Sequence, residues 1–111
     1  MRGSQVNTML HRLRDQGYKV RVQHTRRYQT VNGSLYYLGN RDRLVMKRNG
    51  HSVGTPLSHG GLSYVAVRTP DGIEYEATAV CAEIEPFRQL LGTAVALGRV
   101  LHSMEQAGLR V

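Results

Sequence analysis

Cysteine occurs once in this chain, at Cys81, which excludes an internal disulfide framework and makes a reducing cytoplasm the expected setting. No apolar run approaches the roughly 20 residues that span a bilayer, so no membrane association is expected. Met1-Arg2-Gly3-Ser4-Gln5 lacks the apolar stretch of a secretory signal. Neither a Gly-x-x-x-x-Gly-Lys-Ser/Thr loop nor a strand-linked Gly-x-Gly-x-x-Gly is present, which removes the common nucleotide-enzyme signatures. Acids are scarce, with eight Asp/Glu against fifteen Lys/Arg. What is present suits one domain: at 41% hydrophobic residues, 111 residues bury a single modest core, and residues 1–111 are read as one unit.

The charge is one-sided. Met1 to Tyr64 holds eleven Lys/Arg and two acids, a balance of +9, while Val65 to Val111 holds four against six, a balance of −2. A field of that asymmetry raises the local concentration of phosphates, in nucleic acid or in a free nucleotide. Thirteen of the fifteen cations are arginine, whose planar fork suits bidentate phosphate contact.

Periodicity predicts an α+β fold with an antiparallel sheet of four to six strands between a short N-terminal helix and a long C-terminal one. Val6, Met9, Leu10 and Leu13 recur at helical steps over Ser4–Gln16, with Gly17 as the stop. Tyr18 to His24 alternates strictly, placing Tyr18, Val20, Val22 and His24 on one face. Asn32-Gly33, Asn49-Gly50 and Asp71-Gly72 read as tight hairpin turns of type I′. Strands are expected over Tyr28–Val31, Ser34–Leu38, Arg43–Arg48, Leu62–Thr69 and Ile73–Cys81, with a long loop from Gly50 to Gly61. Pro86 suits a first helical position, and the stripe Phe87, Leu90, Leu91, Ala94, Val95, Gly98, Leu101 and Met104 predicts a helix to Gln106. Its near-continuous apolar surface predicts a second buried face, hence a homo-oligomer joined through this helix.

Residues for covalent chemistry do not assemble. Cys81 continues the apolar face of a strand, as a small core residue does. His59-Gly60-Gly61 lacks the Gly-x-Ser-x-Gly elbow that would accompany an oxyanion loop. His51 and His59 stand eight apart in a loop with no further ligand, so no metal site is expected. Catalytic residues and cofactors are both expected to be none. A binding role remains. Arg26-Arg27-Tyr28 and Tyr36-Tyr37 before Arg41 and Arg43 interleave guanidinium groups with aromatics. A nucleic-acid-binding module would use Arg21, Arg26, Arg27, Arg41, Arg43, Lys47 and Arg48. An inhibitor docking an acidic protein surface is a third possibility.

The segment Ala79 to Leu101 resembles the C-terminal signature of small phage and prophage proteins. In these a strand ends at Cys, an acidic residue and Phe follow, and a helix runs through Gly, an Ala-x-x-Arg step and Leu. Cys81, Glu85, Phe87, Gly92, Ala96, Arg99 and Leu101 hold those positions here. The family is similar to the first-described Thoeris anti-defence proteins, oligomeric sponges that sequester cyclic ADP-ribose-type signals. The resemblance implies an anionic nucleotide ligand held in the host cytoplasm without hydrolysis. Phe87, Arg88 and Arg99 would bind it, and Arg41 and Arg43 would lend charge. The signature commonly carries basic residues where this chain has Gln89 and Thr93, so a phosphate grip made by those residues is either lost here or moved to Arg88 and the basic N-terminal half.

Overall fold

The computed structural model describes residues 3–29, 33–50 and 54–111. Helix α1 (Gly3–Asp15) is followed by β1 (Lys19–Gln29), β2 (Leu35–Gly39), α2 (Asn40–Arg48), β3 (His59–Arg68), β4 (Glu74–Pro86) and α3 (Gln89–Gln106). The four strands form one antiparallel sheet in the order β2-β1-β3-β4. The fold is therefore α+β, with helices at both ends of the chain as the periodicity predicts.

Register explains which residues meet. Val20 pairs with Val67 and Val22 with Val65, while Val67 and Val65 pair onward with Tyr75 and Ala77. Side chains alternate across a strand, so these rows share one face. Against that face α3 sets Ala94, Leu97, Val100 and Met104, and α1 adds Val6, Leu10 and Leu13. Leu13, Val65, Val67, Leu97, Val100 and Met104 are fully buried. The row nearest the start of α3 differs in kind: it consists of His24 paired with Ser63, and Ser63 paired with Ala79. The opposite face carries Arg21, Arg68, Tyr64, Glu74 and Glu76, which satisfy one another. Glu74 holds Arg21 at 3.6 Å and Arg68 at 3.5 Å, and Tyr64 donates to Glu76.

Several expectations need correction. Arg43–Arg48 belongs to a helix, not a strand. The Gly39 N–H donates to the Asp42 carboxylate at 3.3 Å, which caps the first turn, and Lys47 and Arg48 complement the carboxyl end. Gly50, at φ +78°, then ends α2 as a C-terminal stop, so Asn49-Gly50 is no hairpin turn. The Asp71-Gly72 hairpin does form, but with a three-residue loop. Thr69 N–H donates to Ile73 O at 2.8 Å and Gly72 N–H to Thr69 O at 2.9 Å. Only Gly72 has positive φ, so the geometry is a type I turn closed by a glycine rather than type I′. Last, Pro86 stays in β4, paired with His59, and α3 starts at Gln89. The long loop is correspondingly shorter, because β3 already begins at His59. Asn32 and His51 lie outside the described residues. No helix among those described is long and apolar enough to cross a membrane.

Candidate functional site

The His24–Ser63 row puts polar groups on the helix-facing side of the sheet, under the first turns of α3. Thr93 of α3 donates its hydroxyl to Gln89 O at 2.8 Å, so toward His24 Nε2, 3.4 Å away, it is an acceptor. That leaves the proton on Nε2 and makes Nδ1 the acceptor for the Ser63 hydroxyl at 2.9 Å. Burial, and then the charge of Arg26, push His24 below its ordinary value, which keeps the ring neutral. Such close helix–sheet approach requires glycine at position 92, where an added Cβ would lie 2.1 Å from Ser63 Oγ.

Phe87 occupies the corner between β4 and α3. The His24 ring meets it edge-on at 5.8 Å, and Arg26 Cζ lies 4.7 Å over its centroid. Gly61, at φ +135°, gives the ring room, since a Cβ there would stand 2.6 Å from Phe87 Cδ2 and 2.9 Å from Thr25 O. The His59-Gly60-Gly61 motif is thus a bulge in β3 that seats Phe87.

Beside Phe87 opens a recess of about 140 Å³ between β4 and α3. Phe87, Leu91 and Val95 form apolar wall, Arg88 and Arg99 supply two cations, Glu85 one carboxylate, and Cys81 and Ser63 lie at its base. Arg88 is the N-cap of α3, whose first turn holds no acidic residue and no side-chain cap. The positive end of an 18-residue helix therefore borders the recess. Arg99 donates to Thr78 O at 2.8 Å. Among the described residues, carboxylate partners within ion-pair distance are found only for Arg21 and Arg68, both on Glu74. Arg26, Arg88 and Arg99 have no carboxylate within that distance among those residues.

The recess brings Phe87, Arg88 and Arg99 together. It does not bring Arg41 and Arg43, which sit on α2 against β2 and β1, two strands away. Arg41 borders a separate depression with Asp42, Gly39 and His24. The residues of the nucleic-acid reading are scattered as well. Arg21 lies on the open sheet face with Glu74; Arg26 is held by Leu57 O at 2.9 Å on the helix side; Arg27 is buried and points to His59 O. Lys47 and Arg48 are on α2. Tyr28 and Tyr36 stack on each other at 5.7 Å, as cross-strand neighbours pack. No group of three His, Cys, Asp or Glu able to hold a metal exists among the described residues.

Sequence reasoning missed His24, Ser63, Thr93 and Arg26 as neighbours of this site. The signal available was a polar residue at an inward position of each alternating strand. Comparison with protein-family models, with curated proteins and with solved structures gave no match.

Proposed function

We propose that this domain binds a small anionic nucleotide in the recess beside Phe87 and returns it unchanged. The observation that carries the reading is the convergence of Phe87, Arg88 and Arg99 on one recess whose arginines have no carboxylate partner among the described residues. A volume of about 140 Å³ is close to the ~150 Å³ of a cavity that takes benzene. The recess thus suits one ring of a nucleotide, stacked on Phe87 against Leu91 and Val95. Phosphates then lie at the rim, on Arg88, Arg99 and the positive end of α3. Resemblance to the Thoeris anti-defence proteins makes a cyclic ADP-ribose-type signal the first ligand to try, and sequestration in the host cytoplasm the role.

A binder rather than a hydrolase is favoured by the state of the Ser63–His24 contact; the other Ser–His contact among the described residues, Ser58 with His59 at 2.7 Å, is an exposed one between chain neighbours. Ser63 is fully buried beneath α3, and the far nitrogen of His24 meets Thr93 instead of a carboxylate. The nucleic-acid alternative would need a continuous basic track, and the arginines it requires lie on different faces. Titration calorimetry with the cyclic nucleotide, repeated at rising salt, tests the reading. Binding through a few phosphates weakens modestly, whereas polymer binding falls steeply and linearly on a log–log plot. The expected result is saturable binding with the intact molecule recovered on heat denaturation. Absence of binding by any cyclic or linear adenine nucleotide would overturn it.

A further inference from the structure

The two edges of the sheet carry opposite chemistry. At one, β4 is a free edge whose distal part exposes Val80 (73%) and Ile84 (88%) beside Glu83 and Glu85. Neither glutamate has a basic partner among the described residues, unlike Glu74, which is taken by Arg21 and Arg68. At the other edge α2 packs on β2 and β1. Its outer face, at helical steps of three and four, is Arg41, Leu44, Val45 and Arg48, with Leu44 62% and Val45 47% exposed. These arginines likewise have no carboxylate partner among the described residues.

Each patch therefore combines two exposed aliphatic side chains with unpaired charge, and the signs are opposite. Strand order sends the two patches in opposite directions, so they do not meet within one chain. Like charge disfavours two β4 tips facing each other, because each brings Glu83 and Glu85 without a base. We infer that the occupant is a second copy: the α2 face of one molecule docks on the β4 tip of the next. Arg41 and Arg48 meet Glu83 and Glu85, while Leu44 and Val45 cover Val80 and Ile84. The contact joins different surfaces of identical chains, so it is heterologous and propagates into a ring or an open chain. It moves self-association away from the C-terminal helix, where the sequence places it, and because Val80 and Glu85 also border the recess, the contact forms next to that opening.

Charge reversal tests this with the full-length protein. Light scattering over a concentration series at low salt is expected to show mass rising above 12.4 kDa, and high salt to bring it back. Glu83→Arg/Glu85→Arg alone and Arg41→Glu/Arg48→Glu alone are each expected to stay monomeric with unchanged circular dichroism. An equimolar mixture of the two is expected to regain mass, because the reversed tip meets the reversed helix. Should the β4 double variant not fold, Ile84→Asp, at a nearly fully exposed position, serves in its place and is expected to be a folded monomer. A wild type fixed at 12.4 kDa, or variants that assemble as the wild type does, overturns the proposal. So does assembly that ignores both charge reversals and is lost on Val95→Glu, which assigns the contact to α3.

Discussion

The Arg26 guanidinium lies over the face of Phe87, 4.7 Å from the ring centroid, and so fixes one side of the only phenylalanine in the chain. Arg26 comes from β1 and Phe87 from the β4–α3 junction, so the contact ties the sheet to the start of the helix beside the recess. The ring's accessible side is left to line the cavity. In Phe87→Leu, volume and burial are largely kept while the aromatic face is lost. Stability is expected to fall by about 1 kcal/mol, from the lost cation–π contact and imperfect repacking. Affinity for the nucleotide is expected to fall about tenfold or more, since base–aromatic stacking contributes ~1–3 kcal/mol. Urea denaturation and calorimetry on the same samples separate the two effects. Unchanged affinity would remove Phe87 from the site.

His24 makes stability depend on pH in a defined direction. Desolvation, then Arg26, lower its folded value below the ordinary 6.5. Ser63, Thr93 and Phe87 face the same ring and bring no compensating negative charge. The unfolded chain therefore takes up the proton first. Stability from this source is fully present above about pH 7 and declines as pH drops through 6.5, until the folded ring protonates as well. His24→Gln removes the ring and should flatten that part of the profile. Denaturation midpoints measured across this window for both proteins decide the matter, and a wild-type midpoint that does not drop on the acid side counts against a buried neutral histidine.

Much of the fold was legible because one face of each strand is buried. Val20, Val22 and Val65, Val67 alternate with polar residues, and a face that packs against helices leaves that mark on sequence. Helix α2 left a misleading one. Leu44-Val45-Met46 between two turn dipeptides fits a strand, and Leu44 and Val45 point outward, so their spacing does not report a core. The competing signal was Asp42 three residues after Gly39. For the site, Phe87, Arg88 and Arg99 were readable because a strand end and a helix in sequence hold them close. His24 and Ser63 were not, because their meeting depends on the register of β1 against β3. Arg41 and Arg43 were placed with the ligand on charge alone, and strand order puts them across the sheet.

Arg99 offers the sharpest separation of binding from folding. It interrupts an otherwise apolar helix, and such a charge, if structural, should have a carboxylate beside it. Glu83, Glu85 and Glu105 are the carboxylates on α3 and the end of β4, and none pairs with it among the described residues. Its guanidinium instead donates to Thr78 O at 2.8 Å, across the recess wall, and the residue is exposed. One exposed hydrogen bond contributes about 1 kcal/mol at most, so Arg99→Gln is expected to leave the melting curve nearly unchanged. Losing a charge-assisted contact to phosphate, worth ~1.5–3 kcal/mol, should weaken nucleotide binding roughly tenfold to a hundredfold. The experiment follows thermal unfolding, affinity and the mass of the released ligand on one preparation. Loss of affinity with an intact fold supports a binding arginine. Loss of both makes Arg99 structural, and its hydrogen bond to β4 becomes the reason. A ligand released with altered mass from the wild type overturns the non-enzymatic reading and turns attention to the buried Ser63–His24 pair.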